Sequence, residues 1–369
     1  MTARISRRTA VKSMAGAPFL FTLLPSGLAR GYSANEKLNV ALVGVGGRGQ
    51  WFVDTIPRSQ RVIAVCDVNE EKIDGAFRHW TDAGAKYAAS SRDWERRAGE
   101  EFQRLLQNRP TVHRDFRKML DEQGRQIDAV VVATPDHTHA VVSAAAIRAG
   151  KHVFCEKPLT RTLHESRALR QLAREYKVAT SMGNQGTYSG AFRRALELIR
   201  GGVLGEVKEV HVWNSGGGAD RQQPPQGEQP VPDYLDWDLW LGPAEMRAYH
   251  REWMQRRLWR EFGTCQLGNW ASHTANLAFM ALKVHELWLT ERGAPETRVK
   301  VTAKTSGINR LSFPRWEAVD WEIPARAEFP PITIHWYNGA APRIEGLLDS
   351  VLELAPEKNR NNWRFAGTL

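Results

Sequence analysis

The stretch that determines the fold covers residues 38–49 and reads Leu-Asn-Val-Ala-Leu-Val-Gly-Val-Gly-Gly-Arg-Gly. An apolar run that ends in Gly-x-Gly-x-x-Gly, at Gly44, Gly46 and Gly49, is typical of a strand that turns directly into a helix. The first glycine permits the tight turn, the second lets the backbone approach a pyrophosphate, and the third lets the helix pack on the strand. The N-terminus of such a helix faces the phosphates. The stretch therefore predicts a dinucleotide-binding loop.

A second apolar run, residues 61–67, follows and ends on Asp67, 18 residues after Gly49. An acid at this position can accept hydrogen bonds from both ribose hydroxyls and repels a 2′-phosphate, which favours NAD over NADP. Further apolar runs at residues 128–134 and 152–155 are separated by helix-like segments. This alternation predicts a parallel, doubly wound sheet.

The third predicted strand leads into Thr134-Pro135-Asp136-His137-Thr138-His139. The two histidines could suggest a metal, but no third ligand is evident nearby, and they follow the carboxyl end of a strand, where a nucleotide passes. We predict that they contact cofactor and substrate, and we predict no metal site. The three cysteines form no Cys-x-x-Cys pair, so neither a disulfide framework nor a zinc site is indicated.

The run of predicted strands closes with Cys155-Glu156-Lys157-Pro158-Leu159, and a tryptophan-rich composition follows it. A lysine at such a boundary can contact a cofactor from one domain and a substrate from the other. A lysine before a proline is also common in extended surface turns. The stretch by itself leaves both interpretations open.

The second half of the chain carries eleven of the 14 tryptophans. Flat aromatic faces suit the C–H faces of sugar rings, although any single tryptophan is more often a core residue. Strands are predicted at residues 207–213, 299–305 and 332–337. The polar stretch at residues 216–233, rich in Gly, Pro and Gln, is predicted to be a loop that could cover a site.

A helix is predicted over residues 266–282, and its spacing places Asn269, His273 and Asn276 on one side. A neutral histidine is well suited to accept a hydroxyl proton near neutral pH. A histidine that only stabilises the helix is the alternative.

The chain has 369 residues, which is enough for two domains, and half of its formal net charge of +10 precedes the first acid. We therefore expect no nucleic-acid binding. Arg7-Arg8, a short apolar run at residues 13–24 and small residues after it resemble a twin-arginine (Tat) export signal over residues 1–34. The run is too short for a stable membrane span. Export to the bacterial periplasm is predicted, with a disordered basic tail as the alternative.

The glycine pattern, the run at residues 133–139 and Glu156-Lys157-Pro158 together resemble the Gfo/Idh/MocA oxidoreductase family. Residues 182–186 and 235–243 resemble a secreted, Tat-signal subgroup related to NAD-dependent glycosidases. The resemblance implies an α/β + α+β fold, with an N-terminal Rossmann domain over residues 35–158. It also implies a C-terminal domain over residues 159–369, built on a large, mostly antiparallel open sheet.

The resemblance further implies NAD or NADP as cofactor, a carbohydrate as substrate and a homo-oligomer formed through the C-terminal sheet. Relatives of this kind continue with more strands, so a truncated or reduced sheet is expected. The family commonly carries Asp-x-x-x-His on the predicted helix, and here Asn269 replaces the acid while His273 matches the histidine. An amide can orient a hydroxyl but cannot act as a base, so the proton chemistry falls to Lys157 and His273.

The predicted catalytic residues are Lys157 and His273. The predicted cofactor-binding residues are Gly44, Gly46, Gly47, Arg48, Gly49, Asp67, Thr134, Pro135, His137, His139, Glu156 and Lys157. The predicted substrate-binding residues are Asn184, Gln185, Tyr188, Trp259, Arg260, Asn269 and His273.

The main functional hypothesis is hydride transfer between NAD(P) and a secondary alcohol of a sugar or polyol. One alternative is an NAD-dependent glycosidase that acts by transient oxidation and elimination, with no net redox change. The other is a non-catalytic protein that binds a dinucleotide and sugars, which the replacement of the acid by Asn269 motivates.

Overall fold

In the computed structural model, which describes residues 37–288, 298–326, 328–342, 357 and 366–369, the apolar run after Leu38 forms a buried strand in a parallel sheet. The strands of this sheet are β1 (Asn39–Val43), β2 (Arg61–Cys66), β3 (Thr111–His113), β4 (Ala129–Val132), β5 (His152–Glu156) and β6 (Thr180–Gly183). Among the described residues their order is β3-β2-β1-β4-β5-β6. This order is that of a dinucleotide-binding Rossmann sheet.

Helices cover both faces of the parallel sheet. They are α1 (Gly49–Thr55), α2 (Glu70–Ala88), α3 (Asp93–Gln107), α4 (Phe116–Gln123), α5 (Asp136–Arg148) and α6 (Leu163–Glu175). Because side chains alternate along a strand, Val40 and Leu42 pack on one side with α1, α2 and α3. Ala41 and Val43 pack on the other side with α4, α5 and α6. The doubly wound prediction is confirmed.

Side-chain caps set where several of these helices begin. The Asn69 side chain accepts a hydrogen bond from the Lys72 N–H at 3.3 Å, at the start of α2. Thr162 and Glu165 form a reciprocal capping box at the start of α6. These side chains satisfy N–H groups that have no partner within the helix. The start of each of these helices is thus determined by residues within its own first turn.

Two features of the sheet differ from the sequence interpretation. β3 occupies Thr111–His113, where no strand was predicted, and α4 begins at Phe116. A strand of three residues is too short to show an alternation of apolar and polar side chains in the sequence. Its formation depends on pairing with β2. The parallel sheet also continues through β6, past residue 158, where the first domain was predicted to end.

The second half contributes five strands of the described chain to a mixed, mostly antiparallel sheet. They are β7 (Glu209–Asn214), β8 (Lys300–Thr305), β9 (Glu317–Ile323), β10 (Ile332–Asn338) and β11 (Ala366–Thr368). Their order is β11-β7-β10-β9-β8, and only the β7–β10 pair of this set is parallel. The prediction of a second, mostly antiparallel sheet is confirmed.

One face of this sheet packs on helices. Val210 and Val212 of β7 and Ile334 and Trp336 of β10 form a buried cluster with Ala278. The helices of the second half are α7 (Gly190–Arg200), α8 (Trp237–Leu241), a π-helix (Leu267–Ala271), α9 (Ser272–Thr274) and α10 (Asn276–Ala281). Short 3₁₀ turns occur at Ile56–Arg58, Gln185–Tyr188, Arg251–Met254, Arg256–Leu258 and Val284–Trp288.

The helix predicted over residues 266–282 is therefore interrupted. Its first part is the π-helix, in which backbone hydrogen bonds span five residues instead of four. The Asn269 carbonyl lies in this segment and accepts a hydrogen bond from the Ser272 hydroxyl at 3.2 Å. Single π turns are frequent at functional sites because they free backbone groups and redirect side chains.

Residues of the second half pack directly on the Rossmann sheet, and both sheets belong to one compact unit. The Glu70 N–H donates to the Tyr234 carbonyl at 2.9 Å, and the Asp236 N–H donates to the Val68 carbonyl at 2.9 Å. These bonds attach the segment before α8 to the loop between β2 and α2. The Tat signal predicted for residues 1–34 lies outside the described residues and stays a prediction. No helix in the described ranges is long and apolar enough to span a membrane.

Candidate active site

A cavity of about 470 Å³ lies at the carboxyl ends of the parallel strands. Its wall includes Gly44 after β1, Asp67 after β2, Thr134 after β4 and Lys157 after β5. His273 of α9 lies on the same wall. Ligands of open α/β sheets bind in the crevice at this edge, where the strand order reverses.

The glycine loop is shaped by close backbone approach. Gly44 has φ +83°, and a Cβ built there would lie 2.7 Å from the Ala133 backbone. A Cβ on Gly49 would collide with the Gly44 carbonyl, so Gly49 holds α1 against the strand and does not reach the cavity. Gly47 has φ +48°, and nothing lies within 4 Å of its Cβ direction. The loop thus packs tightly on β4 and leaves open space on its cavity side.

Asp67 lies at the end of the cavity formed by β2. Its carboxylate accepts hydrogen bonds from the Val45 N–H at 2.9 Å and the Asn69 N–H at 3.0 Å. Burial raises the pKa of this carboxyl, and those backbone donors oppose the shift. Each carboxylate oxygen can accept more than one bond, so the side chain both holds the glycine loop and retains acceptor capacity.

These residues fit the dinucleotide that the sheet order and the glycine loop imply. The Thr134 hydroxyl is buried on the cavity wall and has no hydrogen-bond partner among the described residues. A buried hydroxyl without a partner is costly, and a polar group bound in the cavity would satisfy it. The N-terminus of α1, the glycines and Asp67 would hold the pyrophosphate and a ribose.

Lys157 and the π-helix meet at the opposite end of the cavity. The Lys157 ammonium donates to Oδ1 of Asn269 at 2.5 Å and to its backbone carbonyl at 3.2 Å. His273 lies one turn further along, on the same wall. The structure therefore brings the two predicted catalytic residues and Asn269 together, although 112 residues separate Lys157 from Asn269.

The electrostatics of this end lower the pKa of both catalytic candidates. Burial lowers the pKa of the Lys157 ammonium, while the carboxylates of Glu156 and Asp136 oppose the shift. Burial, and then the positive charge of Lys157, lower the pKa of His273 below its ordinary value of 6.5. Near neutral pH, His273 is thus a neutral imidazole that can accept a proton.

Two ion pairs fix the groups around Lys157. The Arg48 guanidinium contacts Glu156 at 2.9 Å and joins the glycine loop to the lysine stretch. The buried Asp136 carboxylate contacts Arg256 at 3.0 Å and accepts a hydrogen bond from Thr264 at 3.2 Å. The second pair ties the start of α5 to the second half of the chain.

His139 stabilises the carboxyl-end edge of the parallel sheet. Its two ring nitrogens lie 2.6 Å from the Pro158 carbonyl and 2.9 Å from the Thr134 carbonyl. Burial acts to lower the pKa of His139, yet Cys155, Asp136 and the Pro158 carbonyl together raise it to about 9. The charged ring can donate to both carbonyls, so His139 positions Thr134 and the lysine stretch.

Most of the predicted cofactor residues lie on the cavity wall. They are Gly44, Gly46, Gly47, Arg48, Asp67, Thr134, Pro135, His139, Glu156 and Lys157. His137 does not reach the cavity. Its ring is 1% exposed, packs against Trp240 and Phe262, and lies 3.0 Å from the Trp240 carbonyl. Because α5 begins at Asp136, successive side chains diverge by about 100° around the helix, and His137 points into the core.

Of the predicted substrate residues, Gln185, Asn269 and His273 line the cavity. Trp259 is 1% exposed in an aromatic core, and its indole N–H donates to the Glu252 carbonyl. Arg260 donates to the carbonyls of Asn309 and Ser312. Both side chains are engaged in packing the loops of the second half, so the prediction that they bind substrate does not match their positions.

Asn184 and Tyr188 also lie off the cavity wall. The Asn184 amide donates to the Ser272 carbonyl, which attaches the end of β6 to α9. Tyr188 is 54% exposed, and its hydroxyl contacts Ser181 at 2.9 Å. The predicted covering loop at residues 216–233 is also absent from the wall and instead bonds to residues 313–314.

Sequence reasoning missed a group of wall residues from both halves of the chain. They are Asn69, Lys72, Arg114, Phe116, Leu235, Leu239, Trp240, Met254 and Arg256. Trp240 stacks on Trp237 with ring centroids 4.9 Å apart, and among the described tryptophans it is the one on the wall. The signal available in the sequence was Asp236, which caps the start of α8. A capped helix start fixes the directions of the side chains that follow it.

A Rossmann sheet, a glycine loop and a lysine–histidine pair in one cavity form a candidate site for a dinucleotide. Residues 38–184 match the family model described as "Oxidoreductase family, NAD-binding Rossmann fold", GFO_IDH_MocA. Residues 38–184 thus carry the NAD-binding domain of the Gfo/Idh/MocA oxidoreductase family.

Curated relatives match shorter stretches. The levoglucosan dehydrogenase of Pseudarthrobacter phenanthrenivorans is 34% identical over 93 residues, 25% of this chain and 23% of the relative. A glycosyl hydrolase family 109 protein of Saccharopolyspora erythraea is 30% identical over 183 residues, 48% of this chain and 34% of the relative. The chain spans at most about a third of the length of the curated relatives it matches.

A solved structure shares the fold over most of this chain. The WlbA dehydrogenase of Bordetella pertussis, solved with NADH and UDP-GlcNAcA, aligns with a TM-score of 0.53 at 16% identity. The alignment covers 85% of this chain and 75% of that one. At this identity the likeness establishes the fold.

Proposed function

We propose that this protein oxidises or reduces a secondary alcohol of a sugar or sugar derivative, with NAD as the hydride carrier. The observation that carries the proposal is the convergence of Lys157, Asn269 and His273 at one end of the dinucleotide cavity. A lysine and a neutral histidine at that position supply what alcohol–ketone interconversion needs beside the hydride carrier: a proton acceptor and a charge at the oxygen.

The nicotinamide supplies the hydride chemistry when it is bound. The chain's own residues divide the remaining tasks. His273 accepts the hydroxyl proton, because its lowered pKa keeps the ring neutral near pH 7. Lys157 donates a hydrogen bond to the reacting oxygen and stabilises negative charge on it. Asn269 accepts from the ammonium and fixes its direction, while the Arg48–Glu156 pair fixes the peptide before the lysine.

The names of two curated relatives support a carbohydrate substrate, since one is a levoglucosan dehydrogenase and the other a glycosyl hydrolase. The tryptophan clusters do not add to this support. Trp80, Trp213, Trp259 and Trp336 are among the largest fully buried side chains, so they stabilise cores. The wall around Lys157 instead offers Gln185, Asn269 and Arg256 as polar partners for hydroxyl groups.

The pH dependence of kcat/KM should report His273. Because burial and Lys157 lower its pKa, the protonated and inactive form accumulates only below pH 6.5. We expect kcat/KM to fall as the pH drops through a value below 6.5. His273→Asn should lower kcat/KM by about 10²–10⁴-fold at neutral pH and abolish this acid limb. The measurement is reduction of NAD by the active member of a sugar panel between pH 5 and 9.

His164 provides the matched control, because it is an exposed histidine on α6 that lies off the cavity wall. His164→Asn should keep the wild-type profile. An acid limb that persists unchanged in His273→Asn would contradict the role of His273. Release of an aglycone together with solvent deuterium at the carbon beside the reacting one, without net NADH, would instead identify the glycosidase chemistry.

Cofactor preference should depend on Asp67. Its partly buried carboxylate lies at the end of the cavity where a ribose would bind, and a 2′-phosphate there would be repelled. We expect NAD to bind more tightly than NADP, and Asp67→Asn to reduce that ratio by about tenfold or more, which corresponds to about 1.4 kcal/mol. Calorimetric titration of both dinucleotides into wild type and Asp67→Asn measures the ratio.

The control for this test is Asp74→Asn on α2, which removes a carboxylate that does not line the cavity. It should leave both dissociation constants unchanged. Equal affinity of wild type for NAD and NADP would refute the NAD preference. The cations Lys72 and Arg114 on the same part of the wall would then explain binding of a 2′-phosphate.

A further inference from the structure

A cluster of ligand-type side chains lies on the other face of the second sheet. Side chains alternate along β7, so Val210 and Val212 enter the core, whereas Glu209 and His211 point to the opposite face. The register places His335 of β10 directly beside His211, and Asp320 of β9 directly beside His335. Strands β7, β9 and β10 thus place two imidazoles and two carboxylates on one face of the sheet.

The two imidazoles lie parallel. Their ring centroids are 4.7 Å apart and their planes differ by 9°. One ligand atom from each of Glu209, His211 and His335 lies within 4.8 Å of the others. After small side-chain shifts, two ring nitrogens and a carboxylate oxygen this close together can converge on one ion, with metal–ligand distances near 2.0–2.2 Å.

The hydrogen bonds of the rings determine which nitrogens are available. His335 Nδ1 lies 2.7 Å from the Asp320 carboxylate, and His211 Nδ1 lies 3.2 Å from the Tyr337 hydroxyl. A histidine that ligates a metal through one nitrogen almost always has its other nitrogen in such a contact. Both Nε2 atoms remain for the ion.

The surroundings of the two Nε2 atoms suit a metal ion. His211 Nε2 faces the Glu209 carboxylate at 3.4 Å. His335 Nε2 is buried and has no hydrogen-bond partner among the described residues. A buried ring nitrogen without a partner is costly in either protonation state, and coordination to a cation would remove that cost.

We propose that Glu209, His211 and His335 bind a divalent first-row transition metal, of which Zn²⁺ is the reference ion. Two imidazoles and one carboxylate are borderline ligands of the kind that zinc takes, and they leave a fourth position for water. The ion would join β7 to β10, two parallel strands far apart in sequence. It lies on the opposite face of the sheet from Ala278 and α10, so its role is separate from the chemistry at His273.

The experiment uses tag-free full-length protein, stripped of metal with a chelator and titrated with ZnCl₂ by calorimetry. Wild type should bind one Zn²⁺ per chain, and metal should raise the temperature of unfolding, because an ion that binds only the folded state stabilises it. Glu209→Gln and His335→Gln should lose at least tenfold in affinity. Asp320→Ala, which removes the partner of His335 Nδ1, should lose about 10–100-fold.

Two variants serve as controls. Glu206→Gln removes an exposed carboxylate just before β7, and His164→Ala removes an exposed histidine elsewhere, so both should bind Zn²⁺ as wild type does. The Glu209 side chain is 59% exposed, so Glu209→Gln should fold even if His335→Gln does not. Unchanged NAD affinity verifies folding of each variant.

Co²⁺ supplies an independent readout. Bound at two imidazoles and a carboxylate, it should give the intense visible absorption of a four- or five-coordinate ion, and Glu209→Gln should weaken it. The proposal is overturned if wild type takes up no Zn²⁺ after stripping, or if Glu209→Gln binds Zn²⁺ as tightly as Glu206→Gln does. It is also overturned if bound Co²⁺ shows only the weak spectrum of the hydrated ion.

Discussion

Replacing Lys157 by methionine is expected to lower kcat for alcohol oxidation by about 10²–10⁴-fold while NAD still binds. The ammonium is held by Asn269 through two hydrogen bonds and lies on the same wall as His273. There it would donate a hydrogen bond to the reacting oxygen. Methionine keeps the apolar stem that packs in the wall but removes the charge. Steady-state NADH formation gives kcat, and calorimetric titration gives the dissociation constant for NAD.

Lys118→Met is the matched control, because Lys118 is an exposed lysine of α4 that does not line the cavity. It should keep wild-type kcat. If Lys157→Met loses kcat and kcat/KM by the same factor, the missing interaction belongs to the transition state. A variant that retains wild-type turnover would refute the assignment of Lys157, and with it the functional proposal that depends on this end of the cavity.

Replacing Gly44 by alanine is expected to disrupt dinucleotide binding by displacing the glycine loop in the cavity wall. The new Cβ would lie 2.7 Å from the Ala133 backbone, and the residue would have to keep φ near +83°. The unfavourable φ costs about 1–2 kcal/mol and the overpacking about 1–3 kcal/mol. Thermal unfolding with and without NAD, together with NAD titration, shows how the cost divides between stability and binding.

Gly75→Ala is the control for this prediction. Gly75 lies within α2, and the nearest atom to its Cβ direction is the end of the Arg78 side chain at 3.9 Å. Alanine there should stabilise the protein by about 0.5–1 kcal/mol without changing NAD affinity. A Gly44→Ala variant with wild-type stability and NAD affinity would show that the glycine loop does not need its close contact with β4.

The structure changes the interpretation of Asn269. As a replacement for the family's usual acid, it raised the question of whether the chemistry is retained. In the structure its amide oxygen accepts from Lys157 and adds no charge. An acid at that position would stabilise the ammonium and oppose the effect of burial on its pKa. With an amide, burial is the dominant influence, and the pKa of Lys157 is lowered.

The sequence by itself determined the parallel sheet, the glycine loop and the carboxyl-end position of Asp67, Thr134 and Lys157. These features follow from short segments: an apolar run sets a buried strand, a glycine sets the turn after it, and parallel strands align their carboxyl ends. His273 was also found from the sequence, because the family resemblance and the helical spacing agreed on it. None of these inferences needed contacts from distant parts of the chain.

Only the tertiary structure decided which side chains of the second half reach the cavity. Trp259 and Arg260 are directed into loop packing, while Trp240 and Arg256 line the wall. Their directions depend on contacts between residues that lie far apart in the chain, such as Arg256 with Asp136. The pairing of His211 with His335 likewise exists only because β7 and β10 are neighbours in the sheet. Local sequence patterns do not predict such pairings. Each histidine by itself is an ordinary strand residue, and only the register of the sheet makes the two neighbours.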